Sequence, residues 1–410
     1  MLNTITIVHT HASSGSAKDF ASVVLNEYPE IEFEFVELPK DYDSQPKGDI
    51  VVVAFDSMFQ ECDKASDWLQ SWNESRATTP LLPIAMESGF GKPPEPFSGL
   101  KSKFFKDDES EILKTIGARM GLALRPGDNK LFVSYRSSDG KIAAAKIEEY
   151  FKSCGYVTWL DEARDAKDNT NLELGDDVQE EIERNISKAN ALILVDTPGV
   201  VDSKWVRLEV ELAIGKMIPI YPIVLHPSEE NTSTSRFRIL QGLHRRVCIE
   251  SKYQDDYLLF DDAELPKIVS CVEDYLLAVY RNRVIQPREL EKWFIEKKWD
   301  FGQNKVKEYL HDAKVGDATG FFSLLACCSF EDRIFTPRVK SYLDDIGDLA
   351  EKGTNYTRNI FLYPGAALNK EDIKQIVTDE VPEMMNRNAM LLSYNEAVAR
   401  IGTMAGEYYA

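Results

Sequence analysis

A chain of 410 residues is too long for one hydrophobic core and long enough to bury two or three without disulfides. Its 43% hydrophobic and 28% charged residues describe a globular protein, while 68 acidic against 48 basic residues give a formal charge of -20. That balance argues against direct binding to nucleic acid or to an anionic membrane surface, both of which reward clustered Lys and Arg.

The N-terminal MLNTITIVHTHASSG has no basic segment before a long apolar run, and no stretch reaches the roughly 18 apolar residues of a membrane span. The sequence therefore predicts no export signal and no membrane segment. Cys62, Cys154, Cys248, Cys271, Cys327 and Cys328 form no CxxC pair, so they are expected to be reduced, mostly buried thiols of a cytoplasmic protein.

In residues 1–124, short runs rich in Val and Ile (Thr4–Val8, Ile31–Glu37, Asp49–Phe55, Leu81–Met86) alternate with helical patterns (Ala17–Asn26, Asp63–Asn73, Glu109–Leu122). This rhythm predicts an α/β domain with a helix-covered parallel sheet. Leu124-Arg125-Pro126-Gly127-Asp128 reads as a linker. His9 and His11 alternate on the first strand, yet no third metal ligand can be named, and they read as a partly buried pair. The small residues Ala12 to Ser16 would suit a phosphate loop, a pattern common to many α/β domains.

Residues 129–283 repeat the theme, with strands at Lys130–Tyr135, Val157–Leu160, Ala191–Val195 and Ile218–Leu225. Helices are predicted at Gly140–Gly155, Gly175–Lys188 and Pro266–Tyr280. The strings TITIVHTH and KLFVSYRS, DIVVVAFDS and ALILVDTPG, and TPLLPIAMES and MIPIYPIVLHP match in order and polarity, which suggests a diverged duplication. A generic flavodoxin-like domain in front would give the same rhythm. Residues 284–410 are expected to form a mostly helical module, with helices at Glu289–Lys298, Lys305–His311, Phe321–Phe330 and Arg338–Lys352 and one strand at Asn359–Tyr363.

Ligands of a parallel α/β sheet bind beyond the carboxyl ends of its strands. Tyr135, Arg136 and Ser137 leave the first strand of the second segment, Asp161 leaves the second, and Asp196 to Trp205 follow the third. Ser203 is placed to cap the next helix, with Trp205 in its first turn and Glu209 one turn on along the same face. Glu211, about 200° further round, must point elsewhere. Taken alone, Glu209 reads as an exposed helix glutamate and Trp205 as a core anchor. Asp196-Thr197-Pro198-Gly199 imitates a GTPase DxxG element, but no GxxxxGK[ST] loop precedes it.

Together, LFVSYRSSDG, GYVTWLDEARD and ALILVDTPGVVDSKWVRLEVELA resemble the Toll/interleukin-1 receptor (TIR) domain, over residues 129 to about 280. The resemblance implies a flavodoxin-like parallel sheet and a site on the motif positions. Several TIR domains cleave NAD+ as substrate, with no separate cofactor and no metal, and the acid on which they depend matches Glu209. Arg136 would sit near the substrate diphosphate, or else pairs at the surface with Asp139 or Asp161. Asp161 to Leu174 corresponds to the TIR BB loop, with Glu173 either bordering substrate or solvated at a helix start. Self-association through TIR domains, a protein or nucleotide trigger and a role in immunity or antiphage defence are implied by the same resemblance. A non-enzymatic adaptor is the competing reading. The first segment has Trp72 four residues after Trp68, not an acid, and is expected to be inactive.

Overall fold

The computed structural model describes residues 3–38, 40–41, 46, 48–75, 79–87, 89, 91–124, 130–160, 183–215, 218–230, 233–240, 245–303, 310–314, 321–325, 336–353, 356–363, 389–393, 396–397 and 399–401. The chain forms two compact units, Met1–Phe237 with Arg245–Leu277, and Arg238–His244 with Ala278–Ala410.

The first unit holds two sheets. In the first, β1 (Asn3–Thr10), β2 (Ile31–Leu38), β3 (Ile50–Phe55), β4 (Leu81–Ala85) and β5 (Lys103–Phe104) lie in the order β2-β1-β3-β4-β5, all parallel. The crossovers carry α1 (Ser14–Glu27), α2 (Ser57–Gln60) and α3 (Asp63–Ser75), and α4 (Glu109–Ala123) follows β5. Every residue of β3 is buried, as expected of a central strand covered on both faces.

The second sheet contains β6 (Lys130–Tyr135), β7 (Val157–Leu160), β8 (Ala189–Asp196), β9 (Ile220–Pro227), β10 (Val247–Gln254) and β11 (Tyr257–Leu259). Its order is β11-β10-β9-β8-β6-β7, parallel except for the hairpin strand β11. Its helices are α5 (Ser137–Ser153), α6 (Lys204–Gly215) and α7 (Leu265–Tyr280), and residues 183–188 are also helical.

Leaving out β11, both sheets thus have their strands in the flavodoxin-like order 2-1-3-4-5. Both fourth strands also carry a proline at the third residue, Pro83 opposite Val53 and Pro222 opposite Leu194, although proline is usually confined to sheet edges. These shared details agree with the parallel strings in the sequence.

The third segment departs from the helical expectation. In the second unit α8 (Gln286–Glu296) and α9 (Thr336–Glu351) accompany a sheet of β12 (Asp300–Gln303), β13 (Leu310–Lys314), β14 (Phe321–Leu325), β15 (Tyr356–Tyr363) and β16 (Ala389–Ser393). The first three strands pair antiparallel and the last three parallel. Phe321–Leu325, expected to be helical, is a strand paired on both sides, and Leu310 and His311 belong to β13. Short apolar runs have no periodicity that separates strand from buried helix, so long-range pairing decides.

Two smaller expectations are also corrected. His9 is buried, with its ring Nδ1 2.8 Å from the Thr10 carbonyl, but His11 lies beyond the end of β1 and is exposed beside Glu37. The described cysteines are free thiols that are half-buried. Burial pushes the Cys154 thiol up, which suits an inert reduced side chain.

Candidate functional site

Strand order reverses between β6 and β8, and Tyr135 and Asp196 end those two strands. Tyr135 ends β6 and is buried, while Arg136 directly precedes α5 and Ser137 opens it. Arg136 Nη1 lies 3.5 Å from Asp139 Oδ2, a loose ion pair within the first turn of α5. Asp139 also accepts from Thr197 Oγ1 at 2.8 Å and from the Gly199 amide at 3.3 Å. The guanidinium lies directly over Gly199, where an added Cβ would fall 1.3 Å from Arg136 Nη1. A side chain there would have to push the guanidinium aside, so the Thr197-Pro198-Gly199 turn that imitates a GTPase switch seats Arg136 instead.

Asp196, the last residue of β8, is wholly buried. Its carboxylate accepts from Ser235 Oγ at 2.6 Å, from the Arg236 amide at 3.0 Å and from Arg236 Nη1 at 3.3 Å. Burial raises its pKa from the ordinary carboxylate value, and these donors pull it back in part. The Tyr253 phenol on β10 is pushed up by desolvation and by the charges of Asp139 and Glu230, against the opposing charges of Arg236 and Arg136.

Glu209 lies on α6, the helix that follows β8. Ser203 Oγ accepts from the Val206 amide at 3.4 Å, a weak cap on that helix, and Trp205 is half-buried in its first turn. Glu209 is 0% exposed whereas Glu211 faces solvent, so the helical period separates the two acids. Ser134 Oγ donates to Glu209 Oε2 at 2.5 Å, and Ser134 is likewise buried in β6.

Arg136, Asp139, Thr197 and Gly199 are therefore one connected group, and Ser134 with Glu209 is a second. Asp161 and Glu173 lie outside the described residues. Sequence reasoning passed over Ser134, although a serine within an apolar central strand was a signal in plain view. Asp139 was foreseen only as a surface partner of Arg136, and Thr197 only as part of the Asp196–Gly199 element. Among the described residues there is no group of three or more His, Cys, Asp or Glu that could hold a metal ion, and no helix is long and apolar enough to cross a membrane.

Residues 131–255 match the TIR domain family, a span that runs from β6 through β10, so this part of the second sheet is a TIR domain. No curated protein matches the chain. Among solved structures, an ABC sugar transporter subunit from Rhodobacter sphaeroides 2.4.1 is similar at 12% identity over 54% of this chain and 78% of its own, with a TM-score of 0.18. At that score the likeness carries no argument.

Proposed function

We propose that the TIR domain is an NAD+ glycohydrolase that breaks the nicotinamide–ribose bond with Glu209 as its catalytic carboxylate. The observation that carries this reading is the inward carboxylate of Glu209, held under the carboxyl ends of the strands beside Ser134. In NAD+ the C1′–N bond breaks with its electron pair going to the pyridinium nitrogen, so nicotinamide leaves neutral and needs no general acid. The ribose carbon left behind gains oxocarbenium character, which one carboxylate stabilises. Water then attacks C1′ and loses its proton, giving ADP-ribose, or an internal nucleophile of the ADP-ribose closes a cyclic isomer.

In this reading Arg136 turns from Asp139 toward the substrate diphosphate, aided by the N-terminus of α5. Tyr135, Ser137, Ser203 and Trp205 frame the site, and Asp161 and Glu173 belong to the connection that would cover it. NAD+ is the substrate and no separate cofactor is required.

A carboxylate with 0% exposure cannot touch a dinucleotide unless its surroundings move. The closed arrangement therefore corresponds to a resting state, and self-association through TIR domains, set off by a protein or nucleotide trigger, would open it. Loss of NAD+ or release of a nucleotide signal would then serve immunity or antiphage defence within the cytoplasm. The same burial also favours a second reading, a non-enzymatic TIR adaptor in which Glu209 only stabilises the fold.

NAD+ consumption with product identification, run from dilute to concentrated protein, separates the two. The enzyme reading expects turnover that rises faster than protein concentration and is lost in Glu209→Gln. Equal rates for wild type and Glu209→Gln would remove the assignment of this site.

A further inference from the structure

We infer that Ser134 is the positioning residue that holds the Glu209 carboxylate in its working orientation, an inference that rests on the glycohydrolase reading. Glutamate has three rotatable side-chain bonds, and the helical backbone of α6 restricts only the first. Serine has one, and Ser134 stands on a strand paired to β8 through Leu194, so its hydroxyl is placed by the sheet. A hydroxyl that donates to a carboxylate at 2.5 Å, with both residues 0% exposed, locks the longer side chain to the shorter.

The fold does not require a polar pair here. In the first sheet the corresponding layer, first strand and the helix after the third, contributes Val8, Trp68, Leu69 and Trp72 to one buried apolar cluster. In the matched strings TITIVHTH and KLFVSYRS the fifth position is Val8 in one and Ser134 in the other. A buried carboxylate costs desolvation that an apolar layer avoids. The TIR domain bears that cost at the one helix acid the glycohydrolase reading needs, and Ser134 supplies a donor to it. Because Ser134 lies behind Glu209 on the strand, it acts through Glu209 and is not itself proposed to touch substrate.

Valine and threonine have nearly the same shape and differ in the hydroxyl, so Ser134→Val and Ser134→Thr isolate the hydrogen bond. The full chain is assayed for NAD+ consumption as wild type, Glu209→Gln, Ser134→Val and Ser134→Thr, with thermal unfolding of each as a check on folding. Loss of a hydrogen bond to a charged group should lower kcat in Ser134→Val about ten- to a hundredfold, with KM changed by less than about threefold. Ser134→Thr should return to within about threefold of wild type. Should Ser134→Val fail to fold, Ser134→Ala makes the same comparison. The inference is overturned if wild type turns over and Glu209→Gln does not, while Ser134→Val and Ser134→Ala keep wild-type kcat. It is overturned equally if Ser134→Thr is as impaired as Ser134→Val, since packing and not the hydroxyl would then be the cause. Absence of turnover in wild type and all variants would instead remove the glycohydrolase reading, and this inference with it.

Discussion

Arg119 on α4 donates through Nη2 to the Cys154 carbonyl at 2.7 Å, joining the last helix of the first sheet to the end of the first helix of the second. Its Nη1 reaches the Leu81 carbonyl at 2.8 Å and the Gly155 carbonyl at 3.2 Å, and the guanidinium stacks over Tyr156 at 4.7 Å. With Arg119 fully buried, the two α/β sheets are fastened by a cation that satisfies three backbone acceptors. Arg119→Met keeps the apolar stem but strands those carbonyls, so it should cost about 3 kcal/mol or more. Thermal unfolding should show a midpoint lower by several degrees for both sheets together, and a separate early transition of the first sheet alone would contradict this coupling.

Gly155 makes a second test of the same seam. Its φ of +78° is a conformation that other residues adopt only with strain, and an added Cβ would lie 2.5 Å from the Leu81 carbonyl. Gly15, in the first turn of α1, has open space around its added Cβ. Gly155→Ala should therefore destabilise by more than about 1 kcal/mol, while Gly15→Ala should be neutral or stabilise by up to about 1 kcal/mol. Denaturant midpoints of the two variants check the pair, and opposite signs are expected.

Tyr156 gives the seam a pH dependence. Its hydroxyl donates to Glu273 Oε1 at 2.8 Å, which also accepts from Thr115 Oγ1 at 3.1 Å. Burial first, and the Glu273 charge second, raise the phenol well above its ordinary value of 10.0. A folded-state pKa above the unfolded one favours the folded protein while the phenol is neutral. That contribution is complete below about pH 10 and fades as the pH climbs toward the folded value. Stability measured by denaturant should fall between about pH 10 and 11 in wild type, and Tyr156→Phe should be less stable at pH 7 but lose less over that interval.

How far the sequence carries depends on the range of the forces involved. Four strands of each of the first two sheets were legible because central strands such as Ile50–Phe55 must be apolar on both faces, whereas Lys103–Phe104, Val247–Gln254 and Tyr257–Leu259, short or largely polar, were not placed. The capping position of Ser203 and the opposed directions of Glu209 and Glu211 followed from helix geometry alone. The third sheet was not legible, because Phe321–Leu325 is made a strand by partners some ten residues before and thirty after it. Ser134 and Arg119 were overlooked for a related reason: a lone serine in a strand, or a lone arginine in a helix, takes its meaning from residues distant in the chain.

Gly199 connects the arrangement of the site to its chemistry. Because its Cα lies under the Arg136 guanidinium, Gly199→Ala must displace Arg136 from its place beside Asp139. If Arg136 receives the diphosphate, KM for NAD+ should rise about tenfold or more with kcat changed less, and Arg136→Ala should do the same. An unchanged KM in both variants would return Arg136 to a purely structural ion pair.

The most direct test of the central claim is the rate of NAD+ loss and nicotinamide release by full-length wild type and Glu209→Gln, side by side across a range of protein concentrations. The account predicts turnover by wild type that increases more than proportionally with concentration, and none above background for Glu209→Gln while its melting temperature stays within a few degrees. Indistinguishable rates for the two proteins, at any concentration where wild type consumes NAD+, would contradict it.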